Sequence, residues 1–272
     1  MKKNIQSFDK RNREVHKPFL TGSPIDDRTI SNSLKFCGVL ILVFFITFIT
    51  CSSISATGQI FRIVFSSVVI LLVLFVFFNN GINLGADAVA KGEILYQKQL
   101  DGKGFSDSER KLCFHPWKAY LIGFFGSVPF LIIAVIFAIN ATITLTGAGT
   151  LPSWMQSYTR RKDIASALVS YMKPDGMMLT DYLRIAVRVF ILPFVNIVGA
   201  QNSHGILLLE KLSPVILMLP AAAYGTGYLF GKKIRTKIHT MISENNLKRK
   251  KREIRMRKKR ANSSVSSPEQ LN

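Results

Sequence analysis

The sequence predicts an all-α integral membrane protein: a helical bundle of four transmembrane helices plus one re-entrant or interfacial apolar helix. Three observations carry that prediction. Residues 36–55, 63–78, 119–143 and 212–230 contain no Asp, Glu, Lys or Arg. Three of these runs approach the roughly 20 residues that cross a bilayer's hydrocarbon, and the second reaches that length with its polar edges. The chain is 48% hydrophobic yet carries a formal charge of +20, with the cations crowded beside the apolar runs. Because lipid offers no partner to backbone N–H and C=O groups, each run must close its own hydrogen bonds and is expected to be helical.

Charge distribution orients the spans. Lys and Arg number eight in the segment up to Lys35, six between Asn79 and Lys118 and fourteen after Gly231, against seven between Thr146 and Lys211. The positive-inside bias then places both termini and the 80–117 loop in the cytoplasm, which requires an even number of crossings. Residues 1–33 read as a disordered basic arm, polar and punctuated by Pro18, Gly22 and Pro24. The first apolar run is too long for a signal-peptide core and is expected to remain as a span.

A transmembrane hairpin follows over 34–79, its two spans joined by Ser55-Ala56-Thr57-Gly58, a link short enough to force antiparallel neighbours. The segment 80–117 is a cytoplasmic loop, partly helical. At 100° per residue Gly81, Gly85, Ala88 and Gly92 fall within about 60° of one another. The second span therefore either continues as a helix with a small-residue stripe or stops at Asn79-Asn80-Gly81. Ser106-Asp107-Ser108-Glu109 is a start signal for a short helix.

The third span, 118–143, begins behind Pro116-Trp117-Lys118, an interfacial anchor set. Ala119, Gly123 and Ser127 recur at i, i+4 and i+8, the spacing that lets membrane helices approach closely. The last span, 212–231, repeats the device with Ala223, Gly227 and Gly231, and Tyr224 and Tyr228 form a second face. Between these two spans lies an outer region, 144–211. There Trp154, Met155, Tyr158, Ala165, Leu168, Tyr171 and Met172 suggest an amphipathic surface helix.

Within that region, residues 183–200 (LRIAVRVFILPFVNIVGA) are ambiguous. Eleven Leu, Ile, Val and Phe residues favour insertion by roughly 0.3–0.6 kcal/mol each. Arg184 and Arg188 oppose it at about 2.5–3.5 kcal/mol apiece near a helix centre. The near-zero balance predicts a re-entrant or interface-lying helix, with a full fifth span as the alternative. The tail 232–272 is basic, with Ile234, Ile238 and Ile242 at helical spacing. Its expected partner is a bilayer with anionic headgroups, at about 1 kcal/mol per cation near the surface. Nucleic acid or a ribosome is the disfavoured alternative.

Site motifs are sparse. HExxH, GxSxG, a Walker loop and GxGxxG are absent from the sequence, so no catalytic residue, cofactor or metal is expected. Cys113-Phe114-His115 supplies two metal-ligand types but not the four a structural site needs. His204 is a candidate to join Arg188 in a polar pocket. Arg184 and Arg188 are the candidate functional intramembrane charges, one turn apart on one face. The bland alternative pairs Arg184 with Asp181 at i+3. Gly81, Gly85, Gly92, Gly123, Ser127, Gly227 and Gly231 are the candidate helix-packing residues.

These features point to a non-catalytic accessory or scaffold subunit, with a membrane-protein partner or self-association expected. A transport or insertase component using Arg184 and Arg188 is the second reading. An enzyme acting on a lipid-linked substrate is the third.

Overall fold

The computed structural model describes residues 16–54, 58–141, 179–199 and 202–265, together with Tyr158 and Arg161. Seven helices account for most of them: α1 (Thr29–Ile54), α2 (Gln59–Leu100), α3 (Asp107–Lys111), α4 (Lys118–Asn140), α5 (Leu179–Phe190), α6 (Leu192–Val198) and α7 (Ser203–Val265). Four of them, α1, α2, α4 and α7, are long and apolar enough to cross a membrane. The expected all-α bundle with an additional broken apolar segment is what forms. The surface helix expected around Trp154 to Met172 lies, but for Tyr158 and Arg161, outside the described residues.

Among the described residues the longest seam joins α2 to α7, and α4 packs on a neighbouring side of α7 through Ala221 and Gly225. Helix α2 does not stop at Asn79-Asn80-Gly81; it runs unbroken for 42 residues. It ends where Gly102 takes φ +69°, a left-handed turn that costs a glycine nothing. Continuation is explained by the small-residue stripe. At Gly81 and Gly85 a β-carbon would collide with the carbonyls of Tyr224 and Tyr228, and at Gly227 with that of Phe78. Backbone therefore meets backbone along two turns of each helix, and Gly231 extends the contact to Ala86. Gly123 makes the same kind of approach to Ala221 of α7, and Ser127, buried below it, donates its hydroxyl to the Gly123 carbonyl at 2.8 Å.

Outside this seam aromatic pairs recur within a largely aliphatic core. Phe36 packs against Phe77 and Tyr224, with ring centroids 5.1 and 5.2 Å apart. Phe44 meets Phe130 and Phe190 in the same way, at 5.5 and 4.8 Å. In lipid such rings contribute fit and dispersion more than a hydrophobic drive, because acyl chains are as apolar as they are.

The arm departs from expectation. Residues 16–33 do not belong to a disordered segment. Residues 16–28 form an extended strap, and α1 starts at Thr29 rather than after residue 33. Leu20 N–H donates to the Gly92 carbonyl at 3.2 Å and Gly22 N–H to that of Phe114 at 3.0 Å. Gly22 and Gly92 both lie against backbone, so the strap crosses where side chains are missing. Asp26 closes the turn that leads into α1: its carboxylate accepts from Arg28 N–H at 3.1 Å and from the Thr29 hydroxyl at 2.7 Å, and its carbonyl accepts from Thr29 N–H at 3.0 Å.

Candidate functional site

Helices α5 and α6 form a re-entrant hairpin. Going in, Arg184 lies over the Phe137 ring at 5.6 Å, and six residues later Phe190 meets Phe130 at 5.2 Å. Coming out, Phe190 stacks on Phe44, and Asn196 then donates to the Cys51 carbonyl at 3.1 Å. Phe130 to Phe137 and Phe44 to Cys51 each measure about 10 Å of helix, so the chain dips to that depth and returns. Pro193 explains the break. It has no N–H to give and its ring excludes a helical carbonyl four residues earlier, so α5 ends at Phe190 and α6 starts beyond Ile191. Asn196 is buried, with its side-chain NH2 and its backbone carbonyl both bonded to other helices. Its carbonyl accepts from Arg62 Nε at 3.0 Å.

Arg184 and Arg188 sit on one face of α5, and the structure brings both to Glu210 of α7. Glu210 is 1% exposed. Arg188 Nε donates to its Oε1 at 2.7 Å, while Arg184 Nε lies 3.9 Å from the same oxygen. Arg184 also reaches Asp181 at 3.4 Å, the i+3 pair that the spacing allowed. Two guanidiniums and two carboxylates make a neutral cluster, which a low-dielectric site tolerates where a lone cation would not survive. The Arg184 Nε itself has no hydrogen-bond acceptor. His204 is exposed at the start of α7, and Glu210 rather than His204 faces Arg188.

Glu210 was the residue that sequence reasoning missed. The charge-free run begins at Leu212, so Glu210-Lys211 read as a flanking pair. The signal lay upstream, where Ile206-Leu207-Leu208-Leu209 continues the apolar helix past the acid. An arginine pair of near-zero insertion balance was in addition a request for a counter-charge.

Two further clusters occupy the opposite end of the bundle, where strap and tail meet. Lys118, expected at the headgroups, is instead 4% exposed. Its ammonium lies 2.7 Å from Asp26 Oδ2 and donates to the Lys111 and Cys113 carbonyls at 2.8 and 3.3 Å. All three of its protons are therefore used. Burial pushes the Asp26 carboxyl up. The hydrogen bonds from Lys118 and Thr29 and the Lys118 charge outweigh it and hold the group below the ordinary carboxylate range. Cys113 is fully buried, and that burial pushes its thiol up, which makes it a packing residue and a poor nucleophile.

The third cluster ties α2 to α7. Glu93 Oε2 accepts from Nε and a terminal nitrogen of Arg235 at 3.1 and 3.0 Å, and His239 Nε2 lies 2.7 Å from Glu93 Oε1. Among the described residues no group of three His, Cys, Asp or Glu side chains is arranged to hold a metal ion. An apolar cavity of about 50 Å³ lies under the hairpin tip, lined by Phe44, Thr47, Phe190, Pro193 and Leu217 among others. It offers one hydroxyl and no charge.

No protein-family model matches the chain, and no curated protein or solved structure matches it either.

Proposed function

We propose that the protein is a non-catalytic, multi-pass scaffold or accessory subunit of a larger assembly in the cytoplasmic membrane, with both termini in the cytoplasm. One observation supports this most. Each buried charge cluster is engaged in joining separate elements: Asp26–Lys118 holds the strap to α4, Glu93–Arg235 holds α2 to α7, and Glu210–Arg188 holds α7 to the hairpin. Catalysis or ion coupling needs such groups poised toward a substrate. Here they are engaged with one another.

The orientation follows from the Lys and Arg excess at the end that carries the strap and tail. The transport or insertase reading would need Arg184 and Arg188 facing a polar cavity, whereas Glu210 and Asp181 engage both.

The test is purification of the tagged full-length protein in mild detergent at native abundance. A partner recovered in fixed stoichiometry is the expected result. A chain that comes through repeatedly alone, monodisperse and without companions, overturns the scaffold reading.

A further inference from the structure

Helix α7 leaves the bundle as a rod. Its last membrane-type residue is Phe230, and it continues to Val265 with no Gly or Pro between Lys232 and Val265, so the usual causes of a kink are missing. The first part of this extension is braced. Arg235 and His239 are clamped to Glu93 of α2, which fixes the direction in which the rest of the extension points. Beyond the clamp the stretch 248–260, exposed from Lys248 to Lys258, carries ten Lys and Arg against a single acid, Glu253, which lies 3.5 Å from Arg249.

Distance decides what these cations can meet. At 1.5 Å per residue, Lys248 stands about 26 Å past Gly231 and Arg260 about 44 Å. A helix tilt of about 40°, the upper end of what membrane helices show, still leaves roughly 20 and 34 Å. The Debye length in physiological salt is about 8 Å. The bilayer that anchors α7 is therefore electrostatically out of reach of its own basic segment, contrary to what the sequence alone favours.

The pattern around the helix narrows the partner. Lys248, Arg249, Lys250 and Lys251 point roughly 100° apart, so cations face every direction. The two apolar residues inside 248–260, Ile254 and Met256, lie about 160° from each other, and Leu247 just before the segment aligns with Ile254 alone, too little for an apolar stripe to enter a lipid surface or a protein groove. A partner that carries rows of negative charge and needs no apolar contact satisfies this surface: the phosphate backbone of nucleic acid.

We propose that residues 248–260 of α7 bind nucleic-acid phosphates in the cytoplasm, held clear of the membrane by the rod. The inference goes beyond the scaffold reading and stands whether or not a stoichiometric protein partner is found.

Full-length protein is placed in nanodiscs of phosphatidylcholine alone, or with 30% phosphatidylserine, and titrated with a labelled 20-base-pair duplex. Engagement of about five phosphates predicts a log–log salt slope near −4.5, or a loss of about 500-fold between 50 and 200 mM salt. Changing Arg249, Arg252, Arg255, Arg257 and Arg260 to Gln should flatten that slope by two units or more. The rod itself is tested by a hinge, Asn245→Pro with Asn246→Gly. Wild type should bind within about threefold in the two kinds of disc. The hinged variant should lose tenfold or more in the phosphatidylserine disc only, because its basic segment folds back onto lipid. Failure of wild type to bind duplex at 50 mM salt overturns the proposal. So does a wild-type loss in phosphatidylserine as large as that of the hinged variant.

Discussion

The α2–α7 seam and the α5–α6 hairpin solve the same problem by opposite means. Both must hold helices together where water gives no hydrophobic drive. The seam does so by removing side chains: Gly81, Gly85 and Gly227 let two backbones touch, and the charged Glu93–Arg235 tie comes only farther along the two helices. The hairpin does so by inserting charge: Arg184 and Arg188 enter an apolar segment and are neutralised by Glu210 from a helix 22 residues further on. The first device has many weak contacts and tolerates the loss of any one of them only while the backbones can still meet. The second gathers both arginines on one carboxylate, beside the stack of Phe190 on Phe44 and the Asn196–Cys51 hydrogen bond.

The largest expected effect comes from breaking the second device. Glu210→Leu leaves two guanidiniums facing each other without their shared acceptor. Loss of one member of a buried pair typically costs about 3–5 kcal/mol, and here the lower end applies because Arg188 is 28% exposed and able to turn toward headgroups. Adding Arg188→Leu should recover at least half of that loss, since Asp181 still serves Arg184. The measurement is the unfolding midpoint in mixed detergent and dodecyl sulfate micelles for the three proteins. Equal midpoints for the single and double variants would show that the pair is not coupled.

These two regions also differ in how they appear in the sequence, and the reason is physical. A glycine seam is written locally, because residues four apart on one helix must share a face. The stripe Gly81–Gly85–Gly92 and the triplet Ala223–Gly227–Gly231 could each be recognised without knowing the partner. A charge pair is written in two places. Arg184 and Arg188 were visible, whereas Glu210 masqueraded as the polar margin of a span. The strap was hidden for a similar reason. Phe19, Leu20 and Gly22 lie among polar residues, and what orders them is Gly92, Phe114 and Lys118, all more than 60 residues away.

A smaller effect should follow from thickening the seam. Gly85→Ala puts a methyl group against the Tyr228 backbone, which cannot rotate out of the way, and overpacking of this kind costs about 1–3 kcal/mol. Gly38→Ala, on α1 where nothing lies within 4 Å of the added carbon, should be neutral or slightly stabilising, since alanine is the better helix former. The same micelle titration reads both. If the two alanines shift the midpoint alike, the seam is not a close-packed interface.

The smallest effect concerns the strap, which uses both devices at once: glycine crossings at Gly22 and Gly92 and a buried pair at Asp26–Lys118. The folded-state carboxyl of Asp26 is held below its ordinary value, which is about 3.9 in an unfolded chain. Its contribution is thus fully present above pH 4 and is lost as the pH falls through the lowered folded value. Limited proteolysis within residues 16–28 should accordingly be slow at pH 6, and should quicken only as the pH falls below the ordinary carboxylate range in an acid-active protease assay. Asp26→Asn keeps the turn geometry but removes the charge. It should cleave faster than wild type already at pH 6, and its rate should change less on acidification. An unchanged acid response in Asp26→Asn would show that Asp26 is not the group whose protonation releases the strap.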